Sequence, residues 1–156
     1  PLPARSFASR AMTAPFPVVI YHNPECGTSR NVLAIIEAAG YQPTVIDYQT
    51  EGWTRAHLLG LFAAANVTPH EAMRDKKTPA AELGLLAEGV NDETILAAMV
   101  QRPILVNRPF VATPKGVRLC RPDSATVLDL LDQWPKGPFA KEDGSLLIDA
   151  DGKRAG

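Results

Sequence analysis

This 156-residue chain has only two cysteines, Cys26 and Cys120. Two cannot build a disulfide framework or a zinc knuckle. A free thiol suits a reducing compartment, so a cytoplasmic protein is expected. Histidine is equally sparse: His22, His57 and His70 are all there are. A structural metal site would have to use nearly every soft ligand in the chain, so none is expected. Net charge is lacking too, with 16 Lys+Arg against 17 Asp+Glu, a formal −1. That balance excludes a chain-wide electrostatic footprint for nucleic acid or a membrane surface. No apolar run approaches the ~20 residues of a membrane-spanning helix. Internal repeats and low-complexity segments are also missing.

What is present suits a packed domain. Hydrophobic residues make up 46% of the chain and charged ones 21%. That is enough apolar matter for one core and too much for disorder. Fourteen prolines punctuate the chain into short elements. Charge is also unevenly placed. Residues 102–121 hold Arg102, Arg108, Lys115, Arg118 and Arg121 and no acid. A cationic stretch that small, with little aromatic interleaving, fits a small oxyanion better than a nucleic acid.

Residues 1–17 read as an irregular leader, without the apolar core of a secretory signal. Val18–Tyr21 is a β-branched run that predicts a buried strand. After a loop, Val32, Leu33, Ile35, Ile36 and Ala39 give one helical face, and Gly40 is a fitting stop. Thr44–Tyr48 predicts a second strand, parallel to the first through a right-handed crossover. Thr54 caps a helix running to about Asn66, and Thr68-Pro69-His70-Glu71 spells a capping box. Thr78-Pro79 and Asn91-Asp92 open further short helices. Ile104–Val106 and Phe110–Ala112 predict strands, and Lys115-Gly116 turns into a strand at Val117–Leu119. Pro122 opens a last helix carrying Val127, Leu128, Leu130 and Leu131. Residues 135–156 are polar and expected to be loosely held. The expectation is therefore one α/β domain over residues 18–134, with a small mixed sheet. Its order is βαβ, a helical insertion at about 54–101, then ββα, with a tail at 135–156.

The chemistry centres on His22-Asn23-Pro24-Glu25-Cys26-Gly27-Thr28-Ser29-Arg30. Cys26 lies between a strand's C-terminal end and a helix start, where open α/β sheets place ligands. The N–H groups of Gly27, Thr28 and Ser29 have no partner in the first helical turn. They favour a thiolate or a bound oxyanion. A thiol there has a depressed pKa, and its thiolate is the nucleophile. His22, four residues before Cys26, would lower that pKa further if protonated. Cys26-Gly27-Thr28-Ser29 is C-x-x-S, so no second cysteine waits to resolve a disulfide. The C-x5-R loop of tyrosine phosphatases is absent, because Val32 stands sixth after Cys26. There is no G-x4-G-K-[ST] phosphate loop.

His22-Asn23-Pro24-x-Cys26-Gly27-Thr28-Ser29-Arg30-Asn31 resembles the signature of the glutathione- and glutaredoxin-coupled arsenate reductases, in the thioredoxin-like superfamily. The similarity continues through Arg74, Pro103–Pro109, Leu119-Cys120-Arg121-Pro122 and Lys141–Gly144. The resemblance implies a thioredoxin-like fold with Cys26 as nucleophile and His22 near the thiolate. It implies substrate binding by Arg74, Arg108 and Arg121, with the backbone of Gly27, Thr28 and Ser29. It implies that Cys26 attacks arsenate, that Arg108 and Arg121 hold its oxygens, and that Arg74 stabilises an arsenic(III) adduct. Glutathione and glutaredoxin then supply electrons, with no bound cofactor and no metal. The Arg108-Pro109 peptide is expected to be cis. Glu25 departs from the pattern, which has a small neutral residue there, and is expected to face solvent. Cys120 is expected to be structural. Two other functions suit the same fold. One is a redox regulator of the same fold that binds RNA polymerase, which usually carries C-x-x-C, against Ser29 here. The other is a general glutathione-dependent thiol transferase, which would not need three arginines at one cysteine.

Overall fold

The structure, a computed structural model, describes residues 15–155; residues 1–14, most of the expected leader, lie outside it. Strand β1 (Val19–His22) ends in the cysteine loop and helix α1 (Gly27–Ala38) follows. Its apolar spacing buries Val32, Ile35 and Ile36. Strand β2 (Thr44–Asp47) then returns parallel to β1, Val19 against Thr44 and His22 against Asp47. Strands β3 (Phe110–Thr113) and β4 (Gly116–Leu119) complete a mixed sheet of order β2-β1-β3-β4. β3 runs antiparallel to both β1 and β4. This is a thioredoxin-like fold.

Strand periodicity divides the core between the two sheet faces. Ile20 pairs with Val111, and both face a layer with Val32, Ile35, Ile36 and Leu128. Their neighbours Tyr21 and Phe110 face the opposite layer. There they meet Leu58 and Phe62 of α3 (Arg55–Ala65) and Ile95 and Met99 of α5 (Asp92–Gln101). Thr54 caps α3 by accepting from the His57 N–H, and Asn66 closes it in the left-handed region at φ 57°. The short α4 (Pro69–Ala72) starts in a complete capping box between Thr68 and Glu71. These caps each satisfy donors that a helix start leaves unpaired.

Five local expectations need correction. Ile104–Val106 is not a strand: Pro103–Leu105 is a 3-10 turn, and Val106 makes only an isolated bridge with Met73. Its apolar run reflects burial, since Leu105 and Val106 are fully enclosed, and burial alone does not select a strand. Tyr48 does not extend β2 but begins α2 (Tyr48–Glu51), because the Asp47 side chain accepts from the Thr50 N–H. Thr78-Pro79 opens turns rather than a helix. Thr78 Oγ1 donates to the carbonyls of Arg74 and Asp75 and accepts from the Ala80 N–H, which closes a tight turn. Ser124–Leu130 is a 3-10 helix, capped by Asp123. Finally, the described part of the expected 135–156 tail, residues 135–155, is not loosely held. Strands β5 (Phe139–Ala140) and β6 (Leu146–Ile148) pair, and Leu147 and Ile148 are buried against the α1 layer.

Candidate active site

Cys26 occupies the N-cap position of α1, with extended backbone at φ −97° and ψ 121°. Its carbonyl accepts the first helical bond, from the Arg30 N–H at 2.9 Å. The preceding loop is tied to itself. The Cys26 N–H donates to the Asn23 carbonyl, and the Glu25 N–H donates to Asn23 Oδ1. Arg30 braces the loop from outside: Nη1 donates to the Pro24 carbonyl and Nε to Glu142. Glu142 in turn receives its position from Asn31, whose Oδ1 accepts the Glu142 N–H. The β5–β6 hairpin therefore straps the start of the catalytic helix.

The arginines come from three separate segments. Arg74 follows α4, and its N–H donates to the Leu105 carbonyl at 2.7 Å. The Asn107 N–H answers with a bond to the Ala72 carbonyl at 2.7 Å. These two bonds register Arg74 beside Arg108. Beneath them, the Tyr48 hydroxyl donates to the Val106 carbonyl at 3.1 Å. Arg108 precedes a cis proline, as does Arg121. Arg108 Nη1 rests on Asn107 Oδ1, while its Nε is buried with no partner in the protein. Arg121 Nη1 donates both to Cys26 Sγ at 3.5 Å and to the Arg108 carbonyl at 3.1 Å.

Cys26, Gly27, Thr28, Arg74, Arg108 and Arg121 all line one cleft of ≈ 530 Å³. Gln49, Ile104, Lys76 and Lys77 also line it and were not anticipated. The Lys76-Lys77 pair, so soon after Arg74, was the signal available for the last two. Burial pushes the Cys26 thiol up, but the Ser29 backbone N–H and the charges of Arg108 and Arg121 outweigh it. The net pKa is lowered. The thiolate is thus favoured by a helix start and by two guanidiniums together.

His22 and Ser29 do not line the cleft. Both are buried behind it, with His22 Nδ1 2.6 Å from Ser29 Oγ, which also accepts the Asn23 N–H. Burial lowers the His22 pKa, against the opposing pull of Asp47. His22 thus bonds Ser29 behind the cleft, and burial favours its neutral form over the protonated neighbour expected from sequence. Cys120 is fully enclosed, its thiol pushed up to about 12 by burial. It packs in the α1 layer, whereas Cys26 opens on the cleft. Glu25 is exposed. No group of three or more His, Cys, Asp or Glu side chains among the described residues could hold a metal ion. No helix among them is long and apolar enough to cross a membrane.

A lowered-pKa cysteine at a helix start, beside guanidiniums at one end of a thioredoxin-like sheet, is an arrangement suited to thiol chemistry on an oxyanion. The model of the ArsC family matches residues 21–127, and the chain belongs to that family. It is 70% identical to an arsenate reductase of Synechocystis over 88% of this chain and 97% of that protein. An arsenate reductase of Escherichia coli K12 is 45% identical, over 88% of this chain and 96% of its own length. Among solved structures, an arsenate reductase from Vibrio cholerae superimposes with a TM-score of 0.70 at 35% identity. That match covers 74% of this chain and 98% of the other.

Proposed function

We propose that this chain reduces arsenate to arsenite at Cys26, with glutathione and glutaredoxin as the source of electrons. The observation that carries this reading is the shared cleft of one activated thiol and three guanidiniums. Arsenate near neutral pH is a tetrahedral mono- to dianion, and planar guanidinium forks match its charge and paired oxygens. Arg108 lines the cleft and spends only Nη1, on Asn107 Oδ1, which leaves guanidinium donors for an arsenate oxygen. Arg121 sits within reach of the nucleophile itself, so it steadies both the thiolate and an oxygen of the bound substrate.

The reaction balances as follows. Cys26 thiolate attacks arsenic(V); a sulfur–arsenic bond forms, an arsenic–oxygen bond breaks, and hydroxide leaves. A glutathione thiolate then attacks Cys26 Sγ. A disulfide forms between the two sulfurs, and the electron pair of the sulfur–arsenic bond leaves with arsenic, now arsenic(III), as arsenite. Arg74 supports that departing group. The glutaredoxin thiol finally takes the glutathione from Cys26 and regenerates the thiol. Cys120 takes no part, since burial keeps it protonated and away from the cleft. Removal of arsenate in this way serves arsenic detoxification.

The experiment is arsenate-dependent oxidation of NADPH, coupled through glutathione reductase, glutathione and glutaredoxin. Turnover that needs arsenate, glutathione and glutaredoxin together is expected. Thiol exchange without arsenate dependence would instead mark a general thiol transferase.

A further inference from the structure

Five cationic side chains line the Cys26 cleft, and the chemistry above uses three. The other two, Lys76 and Lys77, are exposed, and neither forms an ion pair among the described residues. The turn that carries them is held in place. Arg74 Nε donates to the Lys76 carbonyl at 3.0 Å, and Thr78 Oγ1 donates to the Asp75 carbonyl at 2.7 Å. Lys77 adopts φ 61°, uncommon for a residue other than glycine. Two cationic stems thus leave a turn braced on a substrate-binding arginine.

The single acid on the cleft is Glu25. It belongs to a different side. An adjoining depression joins Glu25 to Asp47, Gln49 and Thr50, whereas Lys76 shares another with Arg74, Arg108 and Arg121, four cations against the single acid there, Asp75. The nucleophile therefore lies in a cleft with an acidic lip and a basic lip. The cleft, ≈ 530 Å³, also exceeds the needs of a tetrahedral oxyanion, roughly the size of a few waters at ~30 Å³ each.

We infer that the two lips hold the thiol cosubstrate across Cys26, its C-terminal carboxylate on Lys76 and Lys77 and its α-ammonium on Glu25. This rests on the glutathione reading above. Glutathione carries a glycine carboxylate at one end, a γ-glutamyl ammonium at the other, and its thiol between them. That order of charges matches the order of the lips and the nucleophile. The γ-glutamyl end also bears a carboxylate. Gln49 lines both the main cleft and the Glu25 depression, and its amide can donate to that group. The arrangement gives a role to the acid directly before the nucleophile, which an oxyanion alone would disfavour.

The test compares Lys76→Gln/Lys77→Gln and Glu25→Gln with the wild-type chain in the coupled assay, varying glutathione at saturating arsenate. Each variant is also run with excess 2-mercaptoethanol, an uncharged thiol, as reductant, and arsenite is then measured directly because that thiol's disulfide does not draw on NADPH. The wild-type chain is run with glutathione esterified at its glycine carboxylate, which needs no variant to fold. Exposed charge pairs are individually weak, so the double lysine variant should lose about five- to tenfold in kcat/KM for glutathione. The glycine ester should lose as much on the wild-type chain and nothing further on the double variant. Glu25→Gln should lose a few-fold for glutathione. All three proteins should reduce arsenate equally with 2-mercaptoethanol. A wild-type chain that does not use glutathione at all overturns the parent reading. A wild-type chain that does, with variants and ester unaffected, overturns the two-lip site alone. Equal losses with both thiols also overturn it, because the lysines then serve arsenate or the fold.

Discussion

Replacing Arg121 by lysine keeps a positive charge beside Cys26 but removes the planar fork. In the structure one guanidinium nitrogen reaches both Cys26 Sγ, at 3.5 Å, and the Arg108 carbonyl, at 3.1 Å. A lysine ammonium is a point charge on a differently shaped stem and cannot keep both contacts while also presenting a second donor to an oxyanion. A charge-assisted hydrogen bond contributes on the order of 1.5–3 kcal/mol, and 1.4 kcal/mol is a factor of about ten. Arg121 is only partly buried, which places the expected loss toward the lower end. Arg121→Lys should therefore lower kcat/KM for arsenate about ten- to thirtyfold. The inflection of Cys26 alkylation against pH should move up, since a group that favours the thiolate is displaced. Arg118→Ala is the control. Arg118 belongs to the same cationic stretch, yet it is exposed and pairs with Asp129 at 3.2 Å, away from the cleft. Its loss should change activity by no more than about twofold. Steady-state kinetics with arsenate as the varied substrate decide the matter. Small, equal losses at both positions would refute the reasoning, because the stretch would then act only as surface charge.

Further outcomes are expected. Cys120→Ser should keep wild-type kcat while lowering Tm by several degrees, because it places a hydroxyl in an apolar layer at a cost of about 1–3 kcal/mol. Loss of turnover without loss of Tm would instead bring Cys120 into the chemistry. Cys26 alkylation should rise with pH through an inflection below the ordinary thiol value of about 8.5. The linkage has a definite sign: the folded state favours the thiolate, so its stabilisation is complete above the unfolded pKa and is lost as pH falls through the folded one. His22→Ala should raise the alkylation inflection by freeing Ser29, and an unchanged profile would confine His22 to packing. Ile148→Ala should cost about 2–5 kcal/mol in urea unfolding, because Ile148 is fully buried. A cost near zero would return the C-terminal hairpin to the status of a loose tail.

Legibility in the sequence followed how local each cause is. The Val18–Tyr21 run, the α1 face and the Thr68 capping box are local signals, and all three form the elements they predict. Ile104–Val106 failed because its hydrophobicity answers to tertiary burial under the Tyr48 hydroxyl, which contacts the Val106 carbonyl from 58 positions away. The C-terminal hairpin failed similarly. Leu146–Ile148 is a three-residue apolar run in a polar stretch, and only the α1 layer that Leu147 and Ile148 meet makes those two core. At the site, the helix-start position of Cys26 is legible from the strand–loop–helix pattern. The convergence of Arg74, Arg108 and Arg121 is not, because backbone bonds join residues 72–74 to 105–107 while the Cys120 N–H, on the Pro109 carbonyl, brings in Arg121 from a third segment. The resemblance supplied what spacing could not. The short sequence distance of His22 from Cys26 suggests a charge beside the thiol, yet its partner in space is Ser29. Lys76 and Lys77 passed unnoticed because their meaning depends on sharing the cleft with Cys26.

The most direct measurement is coupled turnover of Cys26→Ser beside the wild-type chain, with Tm measured on both. Sulfur and oxygen are close in shape, so the fold and Tm should be kept. Arsenate-dependent NADPH oxidation should fall to the background without enzyme. Measurable arsenate-dependent turnover by folded Cys26→Ser would contradict the account, because no other thiol among the described residues lines the cleft.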